Sequence, residues 1–292
     1  MISIQLQQVL NLLGLVIISH YTTYLYLDWK MIILIVIFTI SIEHFFIMMK
    51  EKKVSYFSFS AISTALGIIL MMIAEHWWIY LVVIGLGLAQ KHFLVINGKH
   101  FFNPSNFALL FALLLFYNDA HIVLGQLGDA LWLKILIFIL AIGILVRVER
   151  WIIPLVFIVS YVIMQYVTIV QYDPVMIMED VFHRFYSVSF LVFILFMLTD
   201  PRTTPKSVWG QVVFSLALVC FSTLLDYWYG FRVQHLFMAL FFFSIMVPLS
   251  MAWRTKANHR VLFFTTFILL FLALSAIIYI EMKPPYYFEM DG

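Results

Sequence analysis

Apolar runs broken by short polar stretches recur along the whole chain. Read at about 20 residues per bilayer crossing, they predict eleven spans, at 9–27, 31–49, 57–73, 77–89, 107–116, 131–146, 152–170, 185–198, 208–225, 233–253 and 261–280. The fold class this implies is all-α and polytopic. Spans 77–89 and 107–116 are too short to cross upright as plain helices. The polar stretch 90–106 between them is therefore expected to dip back into the protein, since irregular backbone survives at membrane depth only inside protein or around an aqueous cavity.

The sharpest break in the pattern follows Leu198. A wholly apolar run ends in Thr199-Asp200-Pro201-Arg202-Thr203-Thr204-Pro205, and neither proline can continue a helix without losing a backbone hydrogen bond. Asp200 and Arg202 thus stand at or just inside a membrane boundary, beside freed backbone groups and threonine hydroxyls. An ionisable pair so placed is a candidate site; the plainer reading is an interfacial turn with a capping Asp. The second polar cluster, Asn103-Pro104-Ser105-Asn106, opens the short apolar run 107–116. Asn103 is expected to cap that helix with Pro104 at its first turn, presenting free N–H groups and the positive dipole end. Asp200 and Arg202 are expected to lock the end of the eighth span against the 99–106 loop.

Charge sorts the loops. With the N-terminus inside, Lys50, Lys52, Lys53, Lys91, Lys99, Arg147, Arg150, Arg202, Lys206, Arg254, Lys256 and Arg260 all fall inside, leaving Lys30, Lys134, Arg184, Arg232 and Lys283 outside. Most acidic residues fall outside, among them Asp28, Glu75, Asp119, Asp226 and Glu281. This positive-inside alternation places the N-terminus in and the C-terminus out. An offset of 125 residues pairs Met72 with Met197, Glu75 with Asp200 and Gly85 with Gly210. It also lays span three on span eight and span four on span nine. Five spans per copy is an odd number, so the copies are expected in opposite orientations, an arrangement that puts binding sites at interrupted helices near the repeat interface. The expected units are 1–117, 118–254 inverted, and 255–292 as an added span with an extracytoplasmic tail.

Composition agrees with a membrane chain. The sequence is 64% hydrophobic and 11% charged, where soluble domains carry about 25% charge, and its net charge of +2 says little beside charge placement. One cysteine, Cys220, excludes an internal disulfide or a cysteine-held iron–sulfur cluster. No cleavable signal peptide is expected from the first residues, and no nucleic-acid partner is expected.

Lys91-His92-Phe93, Gly98-Lys99-His100-Phe101-Phe102-Asn103-Pro104-Ser105-Asn106-Phe107 and Phe196-Met197-Leu198 with the Thr199–Pro205 junction resemble the two loop signatures of the NqrB/RnfD family. Ser60-Ala61-Ile62-Ser63-Thr64-Ala65-Leu66 resembles that family's interrupted helix in its first repeat. These are membrane subunits of the sodium-pumping NADH:quinone reductase and of the Rnf electron-transport complex. The resemblance implies two inverted five-helix repeats in a bacterial cytoplasmic (inner) membrane, bound flavin, and redox partner proteins in the membrane or outside it. Family members carry FMN on a threonine in a Ser-Gly-Ala-Thr-like segment. The corresponding loop here, 171–180, contains no threonine, so the expected cofactor is noncovalent FMN or riboflavin, as in a compact, stand-alone UnbU-like branch.

The resemblance and the polar loops together nominate Ser63, Thr64, Lys91, Lys99, His100, Asn103, Asn106, Thr199, Asp200, Arg202, Thr203 and Thr204 as cofactor-binding residues. Glu43 and His44, within the second span, form a candidate proton or sodium relay; the plainer reading is a neutral Glu hydrogen-bonded to a neighbouring helix. Asp226, with Tyr227, Trp228, Tyr229, Arg232 and His235, reads mostly as an interfacial belt, with partner docking as the sharper alternative. No metal site is expected. The resulting reading is a membrane subunit moving electrons across the bilayer through flavin, with ion translocation as a possible coupled step. The alternatives are a transporter of a flavin or similar small polar molecule by alternating access, and a cofactor-free scaffold.

Overall fold

The computed structural model describes residues 3–23, 25–52, 58–96, 99–100, 102–124, 126–172, 184–185, 187–254 and 259–283. The 173–180 part of the expected flavin-attachment loop, Lys53, Lys256 and the tail from 284 lie outside the described residues. Eleven helices are described, and each falls on an apolar run. They are α1 (Ile4–Thr22), α2 (Trp29–Glu51), α3 (Phe59–Met71), α4 (Trp77–Phe93), α5 (Pro104–Leu115), α6 (Leu131–Val148), α7 (Ile152–Tyr172), α8 (Val188–Val192, continuing as a π-helical turn Phe193–Met197), α9 (Val208–Tyr229), α10 (Gln234–Arg254) and α11 (His259–Glu281). Spans Trp29–Lys50, Leu131–Val148, Val208–Tyr229 and Val261–Glu281 are long and apolar enough to cross a membrane, and shorter apolar helices accompany them. The chain is an all-α multi-pass membrane protein.

Helix packing repeats with a period of five. Helix α1 packs on α3, α2 on α3 and α4, and α4 on α5; in the same way α6 packs on α8, α7 on α8 and α9, and α9 on α10. The two sets meet through α1 against α6 and α5 against α10, the pairings that a two-fold relation maps onto themselves. Helix α11 stands outside this scheme and lies on α10 and α5.

The interrupted helices are where sequence and structure diverge in detail. Helix α3 stops at Met71 and the chain continues extended as β1 (Met72–Ala74), antiparallel to β4 (Ala120–Ile122) with Met72 opposite Ile122. The break leaves a buried carbonyl at Met72, and both the Tyr80 hydroxyl and the Gln126 amide donate to it at 2.8 Å; buried backbone groups demand such partners. The stretch after residue 90 is more regular than a simple dipping loop. Helix α4 runs on to Phe93, and a short antiparallel ladder of β2 (Val95–Ile96) on β3 (Lys99–His100) returns the chain to Asn103. The side-chain oxygen of Asn103 accepts from the backbone N–H groups of Ser105 and Asn106 at 3.0 and 3.2 Å, with Pro104 in the first turn. Gly87 lets α4 lie against this corner: a Cβ there would meet the Pro104 carbonyl oxygen at 2.7 Å.

Candidate functional site

Three interrupted elements converge at the end of the bundle that carries the basic loops. They are the first two turns of α3, the capped start of α5 and the widened end of α8. In α8 the Leu198 N–H donates to the Phe193 carbonyl at 2.9 Å, a bond five residues back. Such wide turns displace one residue from the helical ladder and are frequent at working sites. Together with α1 and α6 these elements line a partly open cavity of about 130 Å³. Its polar lining comprises Gln5, Gln8, Ser60, Ser63, Thr64, His100, Asn103, Ser105, Thr199, Asp200 and Arg202, and its apolar lining includes Leu12, Met71, Ile144, Leu195 and Phe196.

Seven residues nominated from sequence thus share one wall: Ser63, Thr64, His100, Asn103, Thr199, Asp200 and Arg202. The bond that joins the two loop motifs runs from the Asn103 side-chain amide to the Asp200 carboxylate, 3.2 Å. The other carboxylate oxygen accepts from the backbone N–H of Arg202 at 3.0 Å, closing an Asx turn. Arg202 itself is exposed. The lock expected between Asp200 with Arg202 and the 99–106 loop is therefore made through Asn103 and through the backbone of Arg202.

Thr204 and Thr203 are buried but lie behind the cavity wall. The Thr204 hydroxyl donates to the Asp200 carbonyl at 2.7 Å and accepts from Arg150 Nε at 3.0 Å. Arg150 is buried in the α6–α7 turn and also donates to the carbonyls of Val148 and Glu149. It staples the junction to that turn. Nothing in the local sequence around Arg150 marks it out, because its partner is 54 residues away.

His100 is nine-tenths buried or more, and its Nδ1 sits 2.7 Å from the Phe102 carbonyl. That contact makes Nδ1 the protonated nitrogen and leaves Nε2 of the neutral ring as an acceptor. Burial pushes its pKa below the ordinary value, against the opposing pull of the Asp200 carboxylate. The Ser63 hydroxyl oxygen is buried and has no protein partner. The lining can thus both accept and donate hydrogen bonds to something held within.

Other nominated residues lie elsewhere. Lys91 points away from the cavity to Glu43, at 2.5 Å, and the other Glu43 oxygen lies 2.9 Å from His92 Nε2. Ser58, the cap of α3, donates to the same carboxylate at 3.1 Å. The partner histidine of Glu43 is His92, on α4, while His44 Nδ1 is buried without a partner in this arrangement. Adjacent positions in a helix point about 100° apart, so Glu43 and His44 cannot face one neighbour together. Asn106 is fully buried and donates to the Phe237 carbonyl at 3.1 Å, tying α5 to α10. Lys99 contributes backbone to β3; its side chain lies outside the described residues.

A bundle of apolar helices built on a five-helix packing repeat, with a polar cavity at the broken ends of three of them, defines a polytopic membrane protein with its working chemistry at the helix interruptions. Residues 118–259, which take in β4 and α6 to α10, match the model of the NQR2, RnfD, RnfE family, and over this segment the chain is similar to that family. It is a family of membrane subunits of electron-transport complexes. No curated protein matches the chain.

Proposed function

We propose that the chain is the membrane-embedded subunit of an electron-transport assembly, and that its cavity supplies water and protons to that assembly. The observation that carries this reading is the Asn103–Asp200 bond, which brings the two polar signatures to one cavity wall. The basic loops favour an inner-membrane orientation with this end toward the cytoplasm, N-terminus inside and C-terminus outside. Redox partner proteins, in the membrane or beyond it, supply and remove the electrons.

The flavin implied by the resemblance does not fit the cavity as it stands. Sites for organic cofactors occupy about 300–1,000 Å³, against about 130 Å³ here. This space alone does not hold FMN or riboflavin. The space suits a few water molecules, each needing about 30 Å³ and two to four polar partners. Asp200, the acceptor nitrogen of His100 and the Ser63 hydroxyl offer those partners. In this reading the His100 ring takes a proton at Nε2 from cavity water and returns it, while Asp200 stabilises the transient imidazolium.

The test uses membrane vesicles holding the whole assembly, with donor oxidation and proton uptake followed together. Asp200→Asn and His100→Gln are expected to keep redox turnover and lose at least half of the protons moved per electron. An unchanged ratio in both variants removes the cavity from the coupling path.

A further inference from the structure

The densest charge cluster lies at the opposite end of the bundle from the cavity. His235, at the start of α10, is fully buried. Its Nδ1 is 2.6 Å from an Asp226 carboxylate oxygen on α9, and its Nε2 is 3.4 Å from a Glu281 oxygen at the end of α11. Ionised carboxylates only accept hydrogen bonds. A neutral imidazole has one N–H and one lone pair, so it would turn a lone pair on one of the two carboxylates. With one additional proton on the ring, Nδ1 donates to Asp226 and the Nε2 N–H faces the Glu281 carboxylate as an ion pair, without a formed hydrogen bond.

Among the described residues, further charged and titratable groups stand beside this cluster. Arg184, ahead of α8, lies 3.5 Å from Asp226 and donates to the Tyr161 hydroxyl of α7 at 2.7 Å. Arg232 donates to Glu281 at 2.9 Å. Tyr117, after α5, and Lys283, after α11, lie beside them, with the Lys283 ammonium 5.0 Å from the Tyr117 ring centre. The two arginines balance the two carboxylates. The added proton is therefore held by the Nδ1 hydrogen bond to Asp226 and by the facing Glu281 carboxylate rather than by a net negative charge.

This matters most for α11. Its buried apolar residues are few, notably Leu262, Ala273, Ile277 and Ile280, while Phe263, Phe264, Phe267 and Phe271 face outward. Between helices in lipid there is no hydrophobic driving force, so close packing and polar contacts must hold them together. Among the described residues the polar grip on α11 is at Glu281, which receives hydrogen bonds from Arg232 and Gln234 and faces His235, with Lys283 just beyond it donating to the Leu114 carbonyl.

We infer that a proton held by His235 between Asp226 and Glu281 fastens α11 to the bundle, and that losing this proton to water in mild alkali loosens α11 while α1 to α10 stay folded. The site is independent of the cavity and of its proposed role.

The experiment uses the full chain in detergent with Cys220→Ser as background. Ile277→Cys, on the buried face of α11, and Tyr279→Cys, on its exposed face, are labelled with a maleimide between about pH 6 and pH 9.5, below the ordinary range of tyrosine ionisation. The ratio of the two rates is read against the same ratio in the His235→Gln background, which carries the same two thiols and so the same difference in ionisation. It is expected to rise about tenfold across this interval, one pK unit's worth of change in occupancy, and to stay flat when His235→Gln is added. A flat ratio in the chain that keeps His235, or an undiminished rise in His235→Gln, overturns the inference. Should Ile277→Cys disturb packing, melting of the unsubstituted chain decides the matter. A separate early transition emerging toward pH 9.5 is expected, and a single transition unchanged across the interval overturns the inference.

Discussion

The two ends of the bundle handle polar groups in opposite ways. At the end with the cavity, Asp200 is half-buried, His100 keeps an acceptor nitrogen in reserve, and the Ser63 hydroxyl has no protein partner. At the other end Asp226, His235 and Glu281 are buried and face one another and two arginines. The first arrangement leaves hydrogen-bonding capacity unspent, which suits an exchangeable occupant. The second pairs its charges with one another inside the protein, although His235 Nε2 and Arg184 Nε make no hydrogen bond, which suits fastening. A third group, Glu43 with Lys91, His92 and Ser58, belongs with the second kind although it lies at the cavity's end. It holds the cap of α3, and so steadies the wall on which Ser60, Ser63 and Thr64 sit.

Substitutions should separate fastening from exchange by size. Glu43→Ala removes the shared acceptor and leaves two basic groups and the α3 cap without it. Removing one partner of a buried pair costs about 3–5 kcal/mol, and because Lys91 retains some exposure the lower end, about 3 kcal/mol, is expected as a clear drop in melting temperature in detergent. A drop no larger than that of a surface substitution would move Glu43 out of the fastening class.

Asp200→Ala should cost less, about 1 kcal/mol, since water can reach the groups it abandons. Asp200→Asn preserves shape and should melt within a degree or two of the unsubstituted protein while still impairing proton movement. If Asp200→Asn proved as damaging to stability as Glu43→Ala, the contrast between the two regions would collapse.

The smallest effect expected is a pH dependence. The His100 pKa is lowered in the folded chain, chiefly by burial, so the unfolded chain binds the extra proton more readily. Stability should therefore fall as pH drops below about 6.5, the ordinary histidine value, and keep falling until the folded-state pKa is reached. His100→Gln should flatten that acid-side slope. An identical slope in both proteins would assign it to other groups.

Much of the fold was legible because lipid imposes a simple rule: apolar runs near crossing length become helices, and all eleven runs did. The junction at Asp200 and the cap at Asn103 were legible because proline and short polar side chains stop and start helices by local chemistry. The packing partners were not. The loop signature nominates Lys91 as a cofactor-binding residue, yet its partner in the structure is Glu43, 48 residues away. Asp226 and His235 read as an interfacial belt, because the carboxylate that completes their network comes from Glu281 on a helix outside the five-helix repeat. The widening of α8 into a π turn also leaves no mark in a wholly apolar sequence.

The central claim is that the cavity is a hydrated compartment reached from the basic end. It is tested most directly by Ser63→Cys in the Cys220→Ser background, with the whole assembly in sealed vesicles of known orientation. A small, charged thiol reagent should label this position from the side of the basic loops and not from the other side. No labelling from either side, or labelling from the face that carries Asp226 and Glu281, would contradict the account.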